Sequence, residues 1–262
     1  MQSDLKKTII MGILNLTPDS FSGDGIFNSP ELACQYAAEM QNNGAQIIDV
    51  GAESTKPNAK IINAEEELRR LNPVVKKLLE NNFLISVDTY KEETAIAMLK
   101  LGIKIINSVA VEHSETLISA IKKYNARLIV THSLTVPVTE ISQINDAEKI
   151  MPILLEYFEK KINELEKFGL TQQQIIIDPG FGFGKSFEVN QKIIEELSAL
   201  KQFGLPVLAG LSRKRFVKEQ ARINNLDLDE MSVLLEVNAA KNGADIIRTH
   251  NVKKLKNKLG KL

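Results

Sequence analysis

The sequence predicts a (β/α)8 TIM barrel, a closed ring of parallel strands alternating with helices, and three observations predict it. Short apolar runs recur eight times, separated by stretches whose apolar residues follow a helical 3.6-residue spacing. Several of those helices end on a glycine that leads straight into the next run, as in NNGAQIIDV, KLGIKIIN and KNGADIIR. Glycine accepts the left-handed conformation that terminates a helix. Runs such as the three isoleucines of IIID are apolar on successive residues, which requires cover on both faces of the sheet. Eight such units in 262 residues match one barrel, with an open doubly wound sheet as the alternative. There is no linker, low-complexity tract or charge block, so residues 1–262 are expected to form a single domain.

In chain order, the strands are expected at Thr8–Leu14, Gln46–Val50, Leu84–Val87, Lys104–Ile106, Leu128–Thr131, Ile175–Ile177, Pro206–Ala209 and Asp245–Ile247. Each is a short, mostly apolar run of strand length. Helical spacing marks Leu32–Met40, Glu65–Leu79, Thr94–Leu101, Ile153–Phe168 and Val189–Leu200. The basic tail VKKLKNKLGKL is expected to be the solvated last helix of the barrel rather than a membrane-binding segment.

Composition narrows the function classes. Apolar content of 44% and charged content of 25% are those of an ordinary globular protein with a full core. Thirty-three basic residues balance 33 acidic ones, so no global field favours nucleic acid or an anionic membrane. Cys34, the one cysteine, has no disulfide or zinc-site partner, which suits a reducing compartment. No apolar run approaches the ~18 residues that span a bilayer, and the N-terminus lacks a signal-peptide core. A cytoplasmic protein is expected.

The polar residues fall where a barrel carries its chemistry. At or just past the C-terminal ends of the apolar runs come Asn15; Asp49 and GAESTKP; Asp88-Thr89; Asn107-Ser108; His132; Asp178 and PGFGFGK; Ser212-Arg213-Lys214; and Arg248 with His250. The C-terminal strand ends of a barrel surround one mouth, so these groups are expected to meet. Any single Asp or Asn there can instead cap a helix or organise a turn, and Asp49 before Gly51 is expected to do so. His113 is expected at the surface, and His132 is equally readable as a mouth residue or a structural one. Asp88, Asn107, Asp178 and Lys214 offer acceptors, an amide and a donor suited to a flat nitrogen heterocycle. Arg248, His250 and Asn15 offer cationic groups for an anion and an amide oxygen for Mg²⁺.

DPGFGFGK is not a nucleotide loop, because neither the P-loop nor the dinucleotide glycine spacing is present. Its aromatics, held between glycines, read as an apolar wall with Phe181 or Phe183 against a ring.

In order, MGILNLTPDSFSGDG, IIDVGAESTKP, SVDTYK, IDPGFGFGK, LSRKR and IIRTHNV resemble the motifs of the dihydropteroate synthase family, over about residues 9–252. The resemblance implies a TIM barrel, usually a homodimer, that joins 6-hydroxymethyl-7,8-dihydropterin pyrophosphate to p-aminobenzoate with the help of Mg²⁺. It implies Asn15 as ligand to Mg²⁺ and pyrophosphate, and Asp88, Asn107, Asp178 and Lys214 as pterin ligands alongside Arg248. It places Arg248, Thr249 and His250 at the pyrophosphate, joined there by Thr55. Thr55, Lys56, Pro57, Phe183 and Ser212 fall to the p-aminobenzoate end. Asn15, Thr55, Lys56, Arg248 and His250 form the implied catalytic set. Pyrophosphate is implied to leave first, giving a cation delocalised into the ring. Thr17–Gly25 is expected to be a lid that closes with the STKP loop.

Some positions depart from the family's usual pattern. Lys56 stands for an arginine, Ser108 and Asn251 stand for aspartates, Thr131 stands where Met is common, and SGDG replaces SDGG. A lysine keeps the charge of arginine but loses its planar fork. Two alternatives share the pocket: a pterin-binding relative with weakened catalysis, and the methyltetrahydrofolate-binding domain of a methyltransferase.

Overall fold

The computed structural model describes residues 8–17, 29–53, 61–110, 112–134 and 144–261. The strands are β1 (Ile9–Asn15), β2 (Ile47–Gly51), β3 (Ile85–Asp88), β4 (Ile105–Ser108), β5 (Arg127–Thr131), β6 (Ile175–Asp178), β7 (Leu208–Ala209) and β8 (Ile246–Thr249). Every pairing is parallel, in the order β6-β5-β4-β3-β2-β1-β8-β7. A bridge between Ile177 and Val207 joins the two ends, so the sheet closes on itself. The barrel reading holds, and the open sheet does not. The helices are α1 (Pro30–Asn42), α2 (Ala64–Glu80), α3 (Glu92–Leu101), α4 (Glu115–Lys123), α5 (Ala147–Lys167), α6 (Phe187–Glu195), α7 (Arg215–Ile223), α8 (Leu228–Lys241) and α9 (Val252–Leu259).

The core divides by strand parity. Side chains alternate across a strand, so every second residue points into the barrel. Met11, Ile47, Ile105, Ile129, Ile176, Leu208 and Ile246 form one apolar cluster inside it. The alternate residues, among them Ile10, Ile48, Val87, Ile106, Val130, Ile177 and Ile247, join the larger cluster beneath the helices. Both faces of the sheet are therefore dry, as the continuous apolar runs require.

Gly102 ends α3 in the left-handed region with φ 111°, as the KLG step predicts. One predicted helix breaks. Val189–Leu200 is helical only to Glu195, followed by a 3-10 turn at Leu197–Phe203. Asn242 donates its side-chain amide to the Ile194 carbonyl at 2.7 Å, taking the acceptor that a continuing helix would use. This is a tertiary contact that local spacing does not show. The basic tail is α9, whose Val252, Leu255 and Leu259 are buried against the barrel. Among the described residues, no helix is long and apolar enough to cross a membrane.

Candidate active site

The inward parity continues past the apolar plug and turns polar. Counting by two from the plug residues gives Asn15, Asp49, Asn107, Thr131, Asp178 and Arg248, and on β3, whose inward residue at the Asp49 level is Ser86, the same parity gives Asp88. Six of these seven are predicted mouth residues. The one rule that makes the strands alternate therefore puts a heterogeneous polar ring on a dry floor.

Arg248 is the hub of that ring. Its Nε donates to Asp49 Oδ2 at 2.5 Å and its Nη2 donates to Asp88 Oδ2 at 2.7 Å. Asp49 is fully buried and its Oδ2 also accepts the Asn107 amide at 3.2 Å. Asp49 thus organises β2, β4 and β8 rather than facing a ligand alone. Burial works against the Arg248 charge, but the Asp49 and Asp88 carboxylates outweigh it and hold its pKa above the usual value. Burial pushes the Asp88 carboxyl up to about 7, against the pull of Arg248.

Across the mouth, Asp178 ends β6 with Oδ1 accepting the Gly180 N–H at 2.7 Å. Burial raises its pKa, opposed by Lys214 and by that N–H. Lys214 occupies the N-cap position of α7 without a side-chain cap bond; its ammonium donates to the Phe181 carbonyl and lies 4.4 Å above the Phe183 ring. Burial lowers its pKa to about 8 while Asp178 raises it. Lys185 is tied to the carbonyls of Gly180 (2.8 Å), His132 (3.2 Å) and Phe183 (3.2 Å). Burial lowers its pKa to about 7. A Cβ on Gly180 would lie 1.9 Å from the His132 carbonyl oxygen, and its φ is +69°, so only glycine fits there. The GFGFGK segment is a knotted platform. Phe181 is fully buried in the core, so the reading of it as an apolar wall is corrected; Phe183 is the half-buried aromatic at the mouth.

Past the end of β8, Ser212 Oγ accepts the His250 backbone N–H at 3.2 Å and lies 3.0 Å from His250 Nδ1. Between Ser212 and Lys214, Arg213 takes a left-handed φ of 58°, held by a two-pronged bond to Asp229 (2.7 and 2.9 Å). Thr249 has the opposite parity to Arg248. Its side chain is fully buried with its hydroxyl on Glu236, which leaves only its backbone for a ligand. Asn15 ends β1 half-buried.

His113 is buried, which corrects the surface expectation: burial pushes its pKa down to about 4 beside Lys161 of α5. His132 packs its ring edge-on against Tyr157 at 4.7 Å, and burial lowers its pKa to about 3. Its carbonyl, not its ring, serves the platform. Thr55, Lys56 and Pro57, and the lid beyond Thr17, lie outside the described residues. One departure has a local explanation. Asn251 caps α9 and donates to Asp229 Oδ2 at 3.1 Å, which an aspartate could not do. Ser108 accepts the Ala110 N–H at 3.2 Å, a bond that aspartate makes equally well, so nothing in the structure explains the serine.

A supporting network escaped sequence reasoning. Glu53 accepts from Tyr90 (2.6 Å) and pairs with Lys91, which also lies 3.5 Å from the buried Glu67. Glu67 accepts from Thr94 (2.6 Å) and Thr89 (3.1 Å), and burial raises its pKa. The available signal was Glu67 itself, which shares the buried face of α2 with Leu71, Val74 and Leu78.

Among the described residues, no group of three or more His, Cys, Asp or Glu side chains could hold a metal ion. A single amide oxygen at Asn15 does fit Mg²⁺, because that ion keeps several waters and is commonly held by one or two protein oxygens plus substrate phosphates.

The profile of the family described as pterin binding enzyme matches residues 11–250. The dihydropteroate synthase of Escherichia coli strain K12 is 37% identical, covering 95% of this chain and 89% of that protein. The Yersinia pestis dihydropteroate synthase, solved with a sulfonamide drug complex, superposes with a TM-score of 0.87 at 34% identity, covering 98% of this chain and 94% of that one. The Clostridium difficile dihydropteroate synthase, solved in the presence of pteroic acid, gives 0.84 at 36% identity, covering 97% and 95%. With its closed barrel, its polar ring and these relatives, the chain belongs to the dihydropteroate synthase family of pterin-binding enzymes.

Proposed function

We propose that this protein joins 6-hydroxymethyl-7,8-dihydropterin pyrophosphate to p-aminobenzoate, giving 7,8-dihydropteroate and pyrophosphate. The observation that carries this reading is the split of the polar ring. Asp88, Asn107 and Asp178 carry the inward parity of the strands above the plug with Lys214 drawn towards Asp178, and two residues past Arg248 the His250 ring meets Ser212.

Asp178 and Asp88 would accept ring N–H groups of the pterin, and Lys214 would donate to a ring carbonyl or nitrogen. Ring N–H groups become more acidic as pyrophosphate leaves and the methylene carbon becomes cationic. Bonds to those carboxyls then strengthen in the transition state, which is what catalysis requires. Arg248, His250 and the Thr249 backbone would hold the departing pyrophosphate, with Asn15 and Thr55. Mg²⁺ held by Asn15 and the phosphates would neutralise charge on the leaving group. Phe183, Ser212, Thr55, Lys56 and Pro57 would receive p-aminobenzoate, whose amine attacks the cation. A strong base or nucleophile has no part in this chemistry, because electrostatic stabilisation does the work.

The purified protein with Mg²⁺ is expected to release pyrophosphate only when both substrates are present. A pterin-binding protein that gives no dihydropteroate at high enzyme concentration would instead be the weakened relative. A homodimer and a cytoplasmic location belong to the same proposal, and sedimentation velocity is expected to give twice the 29.2 kDa chain mass.

A further inference from the structure

The loop that presents Phe183 is held by a side chain that the proposed reaction does not use. Asn190 shares the buried face of α6 with Val189, Ile193 and Ile194 and has no solvent exposure. An amide on an apolar helix face costs stability unless its polar groups are bonded. Here every group is bonded, and every partner lies between Gly182 and Ser186. Asn190 Oδ1 accepts the Gly182 N–H at 2.7 Å, and Nδ2 donates to the carbonyls of Lys185 at 3.1 Å and Ser186 at 2.7 Å. The partners fix the amide's orientation, because an N–H needs the oxygen and two carbonyls need the two amide protons.

The helix does not need this residue, since the Ser186 hydroxyl already caps α6 by accepting the Val189 N–H at 3.3 Å. The loop does need it. Gly182 and Gly184 have φ of 74° and 60°, so the chain there continues neither helix nor strand, and its backbone groups must find partners elsewhere. Ile144 supplies two, donating to the Gly184 carbonyl at 2.8 Å and accepting the Ser186 N–H at 3.1 Å. Asn190 supplies those of Gly182 and Lys185.

Phe183 stands directly after the residue whose N–H Asn190 accepts. Its own N–H reaches the Gly180 carbonyl at 3.2 Å, and its ring lies 4.4 Å from the Lys214 ammonium. The loop has three side-chain fasteners with different reach. Asp178 holds its first part, through the Gly180 N–H. Lys185 spans it, taking the carbonyls of Gly180 and Phe183 together with that of His132. Asn190 holds only the part from Gly182 onwards. We propose that Asn190 is a positioning residue for the p-aminobenzoate end: its amide fixes the backbone before and after Phe183, and with it the place of that ring against the Lys214 ammonium. This rests on the reading of Phe183 as a p-aminobenzoate contact. The pterin ligands Asp88, Asn107 and Asp178 end β3, β4 and β6, and the strands hold them independently of Asn190.

Fluorine NMR of the whole protein carrying 4-fluorophenylalanine reads the ring without substrate or turnover. A Phe183→Leu spectrum identifies the Phe183 signal among the ten phenylalanines. Asn190→Leu, close in volume and unable to bond, is expected to move or broaden that signal. An unchanged Phe183 signal in the folded variant would overturn the proposal. In steady-state kinetics, Asn190→Leu is expected to raise KM for p-aminobenzoate about tenfold and KM for the pterin substrate less than about threefold. An equal rise for both substrates is what general loosening of the fold gives, and it would overturn the proposal.

Asn190→Asp keeps an acceptor for the Gly182 N–H but sets an oxygen against the Lys185 and Ser186 carbonyls. It is expected to show the same selectivity at about threefold, and it carries the test if the leucine variant does not fold. A displaced Phe183 signal with an unchanged KM for p-aminobenzoate would support the positioning of the ring and overturn its reading as the p-aminobenzoate contact. A protein that makes no dihydropteroate would overturn the functional reading, and the fluorine signal would still decide whether Asn190 places the ring.

Discussion

Replacing Arg248 with alanine is expected to cost about 3–5 kcal/mol of folding stability, the range for breaking a buried ion pair from one side. Its guanidinium serves Asp49 and Asp88 together, and Asp49 has no solvent exposure. Removing the cation strands that carboxylate with only the Asn107 amide for a partner on Oδ2. Arg248→Lys is expected to recover little of the loss, because one ammonium cannot reproduce a planar fork reaching two carboxylates on different strands. Urea unfolding at pH 7 measures the effect. A loss below about 1 kcal/mol would mean that Asp49 finds another partner and that the hub is dispensable. Turnover, measured in the surviving folded fraction, is expected to vanish in both variants.

Asp178→Asn is expected to behave in the opposite way, sparing the fold and striking the ligand. Asparagine retains an oxygen for the Gly180 N–H, so the platform keeps its 2.7 Å anchor. The charge is what disappears. A hydrogen bond to a charged group contributes about 1.5–3 kcal/mol, so pterin affinity is expected to fall tenfold or more. Calorimetric titration with a pterin ligand reads that loss, and the unfolding temperature serves as the control. Unchanged affinity in a folded variant would remove Asp178 from the pterin site.

The two variants separate what the sequence shows from what it hides. Strand positions, the closed ring and the crowding of polar groups at one face were legible because an alternation of two and a spacing of 3.6 are local rules. Asp178 is such a case: it closes the run IIID and keeps the inward parity. The Arg248 hub is less legible, since its partners lie 199 and 160 residues away in sequence. The errors share a cause. His113, Phe181 and the broken helix after Glu195 each depend on a distant packing partner. Glu236 was missed for the same reason, because a single carboxyl in LLEVNAA gains its partner only when β8 brings the Thr249 hydroxyl to it.

The polar ring also settles an account of charge. Asp49, Asp88 and Asp178 contribute three potential negative charges, and Arg248, Lys214 and Lys185 three positive ones. Arg248 is committed to two carboxylates, and Lys185 to three carbonyls. The mouth described here is thus close to electroneutral before any substrate arrives. A polyanionic leaving group entering such a site brings excess negative charge that these side chains do not offset, so it must arrive with its own counter-ions. Affinity for the pyrophosphate-bearing substrate should therefore track the concentration of free divalent cation far more steeply than affinity for the bare pterin ring.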